Sequence, residues 1–246
     1  MAKVIFTLRG YSGSKVELIE LNSMNYVRKT GDVSRNLERI DSLKKLGLPF
    51  PKIYSIDDDS YIMEYIENQD MKSYLNSNNI KNLSNFLYDT ILKLSSKSQN
   101  KDYTNTYIEK LKKIKWVEYK LPFSQNQLVD KLPKILPCSE YHGDFTLDNI
   151  LYNESGFFLI DPLTSEYDSY VFDLAKLRQD LSCGWFIRYD NLFFDSKFKI
   201  LSEKLNKFNY FSNDYLLILM LLRILPYSKN DYDKKFIEKK IEKLWK

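Results

Sequence analysis

The chain has 246 residues, with 37 Lys and Arg against 33 Asp and Glu and one histidine, so it can bury a large core and sits near charge balance at +4. Two cysteines far apart in sequence fit no metal-spacing pattern, and the lone histidine excludes a His-rich zinc site. The most apolar run, 216–225, contains Arg223 and is too short to span a bilayer. Arg9 interrupts the apolar start, so no secretory leader is expected; the reading is a cytoplasmic protein with Cys138 and Cys183 as reduced thiols.

In chain order, residues 4–8 and 16–21 read as strands around Arg9-Gly10-Tyr11-Ser12-Gly13-Ser14, a flexible turn whose backbone N–H groups suit phosphate. Asn25-Tyr26-Val27-Arg28-Lys29 alternates with period two, so Val27 and Lys29 share one face of a strand and Arg28 takes the other. Residues 33–46 place Leu37, Ile40, Leu43 and Leu46 once per turn, with Gly47 and Pro49 ending the helix and Glu38 as its only glutamate. Strands over 51–56 and 60–67 flank the Asp57-Asp58-Asp59 turn. Beyond a boundary near Asn68, Asp70 and Met71 open a mostly helical region, with helices expected over 82–96, 106–119 and 215–225. Residues 121–137, with three prolines, form the least regular part. The tail, 234–245, carries Phe236, Ile237, Ile241, Leu244 and Trp245 on one stripe and is expected to dock on the core.

Residues 141–162, YHGDFTLDNILYNESGFFLIDP, hold the densest chemistry. His142 is followed by Asp144, Asn149 and, after an apolar run, Asp161. Two short apolar runs, 151–152 and 157–160, flank Asn153-Glu154-Ser155-Gly156, a hairpin turn by composition. Asn149 then stands just before one strand and Asp161 just after its partner. An amide oxygen and a carboxylate brought together in this way are hard ligands suited to Mg²⁺, while a further carboxylate, Asp144, can orient an attacking hydroxyl.

H-x-D-x4-N followed by I-D-P resembles the catalytic core of the aminoglycoside phosphotransferase and choline kinase group, small-molecule relatives of the protein kinases. Phe172-Asp173-Leu174-Ala175 is similar to the D-L-A segment of that group. Only eleven residues separate Asp161 from Asp173, leaving no room for the activation segment of a protein kinase. The resemblance implies an α+β fold with a small β-rich lobe, 1–67, that clamps nucleotide. A larger helical lobe, 68–246, would carry catalysis and acceptor binding. It implies ATP (or another nucleoside triphosphate) and Mg²⁺ as cofactors and transfer of the γ-phosphate to a hydroxyl of a small molecule.

Residue by residue, the resemblance makes Asp144 the catalytic carboxylate and Asn149 and Asp161 the metal ligands. Lys29, held by Glu38, would reach the α/β-phosphates, with Ser12, Gly13 and Ser14 over the phosphates and Met63, Glu64 and Ile66 in the strand and hinge beside adenine. His142 and Asp173 would brace the catalytic loop. A catalytically silent binding protein of the same fold and a protein kinase are the alternatives, and the oligomeric state is open.

Charge is segregated along the chain. Segment 139–196 sums to −8, while 69–138 and 197–246 each sum to +6. Acids around the presumed active-site side, Asp168 and Asp190 foremost, favour a cationic acceptor such as an amino alcohol or amino sugar. Tyr167, Tyr170, Trp185, Phe186 and Tyr189 could enclose an ammonium group. Dispersed lysines on amphipathic helices, without a recognition module, argue against nucleic acid.

Overall fold

The computed structural model describes residues 2–8, 14–31, 33–67, 70–77, 79–228 and 230–246. The chain begins with β1 (Lys3–Leu8), β2 (Lys15–Leu21), β3 (Met24–Thr30), α1 (Ser34–Lys45), β4 (Ile53–Ile56), β5 (Ser60–Glu64) and α2 (Met71–Ser77). It continues through α3 (Ile80–Leu94), β6 (Ser98–Asp102), α4 (Thr104–Leu111), α5 (Gln125–Lys131) and β7 (Ile135–Ser139) to the hairpin β8 (Ile150–Asn153) and β9 (Gly156–Leu159). It ends with α6 (Tyr170–Cys183), α7 (Asp195–Leu205), α8 (Asp214–Ile224) and α9 (Asp231–Leu244). Two compact units result: Met1–Asn78 with Asp148–Thr164, and Asn79–Leu147 with Ser165–Lys246. A linear boundary near Asn68 therefore divides the chain differently from its contacts, which place the 148–164 segment with the first unit.

In the first unit a five-stranded antiparallel sheet runs in the order β1-β2-β3-β5-β4. Asn22 and Ser23, both at positive φ (50° and 62°), turn β2 into β3, as a two-residue hairpin requires. Period-two alternation then decides which side chains enter the core. Val27 and Lys29 are buried on one face, while Arg28 turns the other way to meet Glu17 at 2.7 Å. The β8–β9 hairpin joins this unit through Leu159, whose N–H donates to the Pro49 carbonyl (2.8 Å), and through Tyr74, whose ring packs against Tyr152 and Phe157 at 4.5 and 5.2 Å.

The second unit is helical apart from the β6–β7 ribbon. Its centre is α8, with Leu216 to Leu222 all buried, packed against α6. The helix expected over 106–119 stops at Leu111, because the Trp116 indole N–H folds back onto the Leu111 carbonyl (3.1 Å) and satisfies an end of that helix. The segment 121–137 is more regular than its prolines suggest. Ser124 and Gln127 form a reciprocal capping box that starts α5 between Pro122 and Pro133. In α9 the stripe docks as expected, with Ile237 and Ile241 fully buried and Trp245 stacked on Phe123 at 4.1 Å. Among the described residues no helix is long and apolar enough to cross a membrane.

Candidate active site

The open end of the β8–β9 hairpin carries Asn149 and Asp161. The Ile160 N–H donates to the Asn149 carbonyl (3.1 Å), so the ladder holds the two flanks together one step beyond the last paired residues, Ile150 and Leu159. Asp161 adopts φ 54°, in the left-handed region. Its carboxylate receives Lys29 Nζ at 2.7 Å, across 132 residues of sequence. Lys29 is buried, whereas the Asp161 side chain keeps 40% of its surface exposed. The donors at this end, a carboxamide oxygen and a carboxylate, are the hard oxygen ligands Mg²⁺ takes beside phosphate. Among the described residues no group of three or more His, Cys, Asp or Glu side chains is placed to hold a metal ion.

The expected partner of Lys29, Glu38, lies on the exposed face of α1, and the lysine pairs with Asp161 instead. Helix phase is the reason. The buried residues of α1 are Asn36, Ile40 and Leu43, and two residues on from Asn36 is a rotation of roughly 200°. Asn36 occupies the inward position. Its amide N–H donates to the Pro162 carbonyl (2.6 Å) and its carbonyl oxygen accepts from the Tyr61 hydroxyl (2.7 Å). Tyr61 is the cross-strand partner of Lys29, so Asn36 ties the segment after Asp161 to the strand pair that carries the lysine.

Of the other residues expected at the nucleotide, Ser12 and Gly13 fall outside the described residues. Ser14 precedes β2 and packs against Gly31, where an added Cβ would stand 3.3 Å from its hydroxyl. Met63 is paired with Val27 across the strands, Glu64 accepts from the Lys52 N–H (3.1 Å), and Ile66 is buried just past β5.

In the second unit, one face of α6 organises the loop that bears Asp144. Asp173, Lys176 and Asp180 recur at spacings of three and four residues, hence on one side of the helix, and all three are buried. Asp173 accepts from the backbone N–H groups of His142 (2.6 Å) and Gly143 (2.9 Å). Asp180 accepts from the Leu147 N–H (2.8 Å). The Lys176 ammonium forms a short ion pair with Asp144 Oδ1. His142 is fully buried, and its Nδ1 accepts from the Asp144 N–H (3.3 Å). Gly143 sits at φ 83°, which explains a glycine between the histidine and the aspartate.

Burial pushes the Asp173 carboxyl up to about 6, against the opposing pull of its backbone donors and Lys176. Burial likewise drives Lys176 below the usual lysine value, with Asp144 resisting and Arg223 adding to the depression. Lys176 and Asp180 carry no motif, so sequence reading missed them; their only signal is helical spacing from Asp173.

Three acids of segment 139–196, Asp144, Glu166 and Asp168, pair with lysines within this unit. Asp168 binds Lys101 (2.7 Å), the Tyr103 hydroxyl (2.8 Å) and the Cys138 thiol (3.3 Å), and Glu166 binds Lys110 (2.7 Å). Burial raises the Asp168 carboxyl, but these donors together hold it below the ordinary carboxylate range. Of the aromatic residues, Tyr167, Tyr170 and Phe186 are core. The cation over Trp185 and Tyr189 is the protein's own Arg188, at 3.6 and 4.3 Å, held by Asp233 at 2.8 Å.

No protein-family model matches the chain, and no curated protein matches its sequence. Solved structures do match its fold. A thermostable mutant of aminoglycoside phosphotransferase APH(4)-Ia superposes with a TM-score of 0.68 at 9% identity, over 99% of this chain and 94% of that one. Glucosamine kinase, in complex with glucosamine, ADP and inorganic phosphate, gives 0.63 at 10% identity, over 99% and 81%. Plasmodium vivax ethanolamine kinase gives 0.57 at 12%, over 99% and 81%. With its antiparallel five-stranded sheet and helical second unit, the chain has the protein-kinase-like fold of these small-molecule kinases.

Proposed function

We propose that this protein is an ATP-dependent phosphotransferase that moves the γ-phosphate to a hydroxyl of a small molecule. The observation that carries the reading is the meeting of Lys29 and Asp161, a buried ammonium on β3 and a partly exposed carboxylate just past β9. Phosphoryl transfer needs such a pair, one charge for the nucleotide phosphates and one for the metal between them. The neighbours' activities, on an aminoglycoside, an amino sugar and ethanolamine, support a small hydroxyl acceptor.

In this reading the first unit, with Ser12, Gly13, Ser14, Lys29 and the 63–66 backbone, binds the nucleotide. Asn149 and Asp161 would hold Mg²⁺, which neutralises phosphate charge when bound. Asp144, on its braced loop, orients the acceptor hydroxyl and takes its proton. His142 and Asp173 keep that loop in shape. The role of Glu38 passes to Asp161 and Asn36. Amino alcohols, amino sugars and sugars are the acceptor classes to test, and a cytoplasmic location fits an ATP-using chain with two free thiols.

The decisive experiment is Mg·ATP turnover across choline, ethanolamine, aminoglycosides and a sugar panel, with Asp144→Asn and Asp161→Ala as controls. Wild type should turn over at least one acceptor, and Asp144→Asn should bind ATP normally yet lose about 10²-fold or more in kcat. Asp161→Ala should abolish Mg²⁺-dependent turnover, and Asn149→Ala should raise the Mg²⁺ requirement. Nucleotide binding without turnover of any acceptor would mark a binding protein, and transfer only to protein hydroxyls would mark a protein kinase.

A further inference from the structure

Lys176 has no part in the function just proposed, yet it is the most unusual charge in the second unit. It lies on α6 with 10% of its side chain exposed, in a helix whose other neighbours are mostly apolar. A buried ammonium has three donors and a large desolvation cost. Among the described residues its sole hydrogen-bond partner is Asp144. A methionine would fill the same space more cheaply, so packing does not account for a lysine here. The charged groups acting on it are Asp144 from the catalytic loop, Asp173 from its own helix and Arg223 from α8. It therefore stands where two carboxylates converge, one buried and one, Asp144, with a third of its surface open. Two carboxylates acting on one point disfavour each other's ionisation, and a cation beside them reverses that.

We propose that Lys176 is a positioning residue for phosphoryl transfer: its ammonium keeps the Asp144 carboxylate ionised and aimed, so that Asp144 meets the acceptor as a base. This rests on the assignment of Asp144 above. In the step it serves, the acceptor oxygen bonds to the γ-phosphorus and the bond from that phosphorus to the β–γ bridging oxygen breaks. ADP leaves with that electron pair, and the hydroxyl proton passes to Asp144.

The test compares the pH dependence of kcat/KM, at saturating Mg·ATP, for wild type, Lys176→Met, Lys176→Gln and Lys176→Arg. Without the cation, the acidic limb of the profile should move up by about one pH unit or more, because an opposite charge at this range lowers a carboxyl by that much. Activity lost on the acidic side of the profile should return as the pH rises. Lys176→Arg should keep the wild-type limb. ATP affinity should be unchanged throughout, and the thermal melt of each variant shows which are folded.

A folded Met or Gln variant with the wild-type profile, or with the same fractional loss at every pH, overturns the proposal. If neither neutral variant folds, the arginine variant decides: a limb displaced as far as about one unit despite the retained charge also overturns it. Asp144→Asn runs in parallel. Should that variant keep its turnover, the assignment of Asp144 fails; should it be dead while Lys176→Met behaves as wild type, only the role of Lys176 fails.

Discussion

Asn36 shows how much one inward-facing side chain decides. It satisfies the Tyr61 hydroxyl and the Pro162 carbonyl together, in a place where neither can reach water. Asn36→Leu would strand both, and each buried unsatisfied group costs about 1–3 kcal/mol. We expect urea unfolding to show a loss of about 2–4 kcal/mol, together with weaker Mg²⁺ dependence of turnover. Glu38→Ala, by contrast, should stay within about 0.5 kcal/mol of wild type and keep its activity, as an exposed substitution does. The placement of Asn149 and Asp161 at the flanks of one hairpin, and of Lys29 on the buried face of its strand, was legible in the sequence from apolar runs around a turn and from strand alternation. Asn36 was not. An asparagine two places from a glutamate on an amphipathic helix differs from it only in phase, and Leu37, Ile40, Leu43 and Leu46 allow several phases.

At the scale of the element, α6 is the plate on which the loop bearing Asp144 is built. The segment Phe172-Asp173-Leu174-Ala175 pointed to its start, but the rest of the helix was invisible to periodicity. Its buried positions run almost continuously from Tyr170 to Cys183, polar residues included, so it has no apolar stripe to detect. The β8–β9 hairpin, by contrast, was readable from two apolar runs around a turn, and it forms over nearly those residues. Asp173 gives α6 a testable signature. Its carboxyl, pushed from 3.8 to about 6 by burial, binds a proton in the folded chain that the unfolded chain releases between those values. Its contribution to stability is therefore full below the unfolded value and falls as pH rises through about 6. Comparing stability against pH for wild type and Asp173→Asn should isolate that falling slope as a difference between the curves. The variant should also lose loop order, since its amide nitrogen would face one of the two N–H donors that the carboxylate oxygens now accept from.

Across the whole molecule, the segregation of charge along the chain partly undoes itself on folding. Within the second unit, Lys101 and Lys110 of a basic segment meet Asp168 and Glu166 of the acidic one, while Arg178 and Arg188 reach forward to Asp214 and Asp233. Sequence arithmetic sees a surplus of acid; the fold sees pairs. Asp168→Lys should then act on stability, lowering the melting temperature by several degrees for a loss of about 1–2 kcal/mol, discounted for partial exposure. The Michaelis constant of an amino acceptor should not respond selectively, as it would if Asp168 drew cations to the acceptor. Asp168 is held low by its donors, so its stabilisation is present above the ordinary carboxylate value and lost as the solution is acidified. Acid unfolding of Asp168→Asn should accordingly show a shallower slope than wild type.

The backbone at Asp161 has a consequence for evolution and for engineering. A left-handed conformation there costs a non-glycine residue about 1 kcal/mol, and a glycine would relieve it. The buried Lys29 opposite adds the desolvation of a charge that an apolar side chain would avoid. A lineage selected only to fold would drift away from both residues. The pair Lys29→Met and Asp161→Gly should therefore yield an inactive protein that melts no lower than the wild type. Either substitution alone should be the more harmful to stability, the glycine most of all, since it leaves Lys29 buried without its partner. A thermostability screen blind to activity would be expected to discard these two residues together.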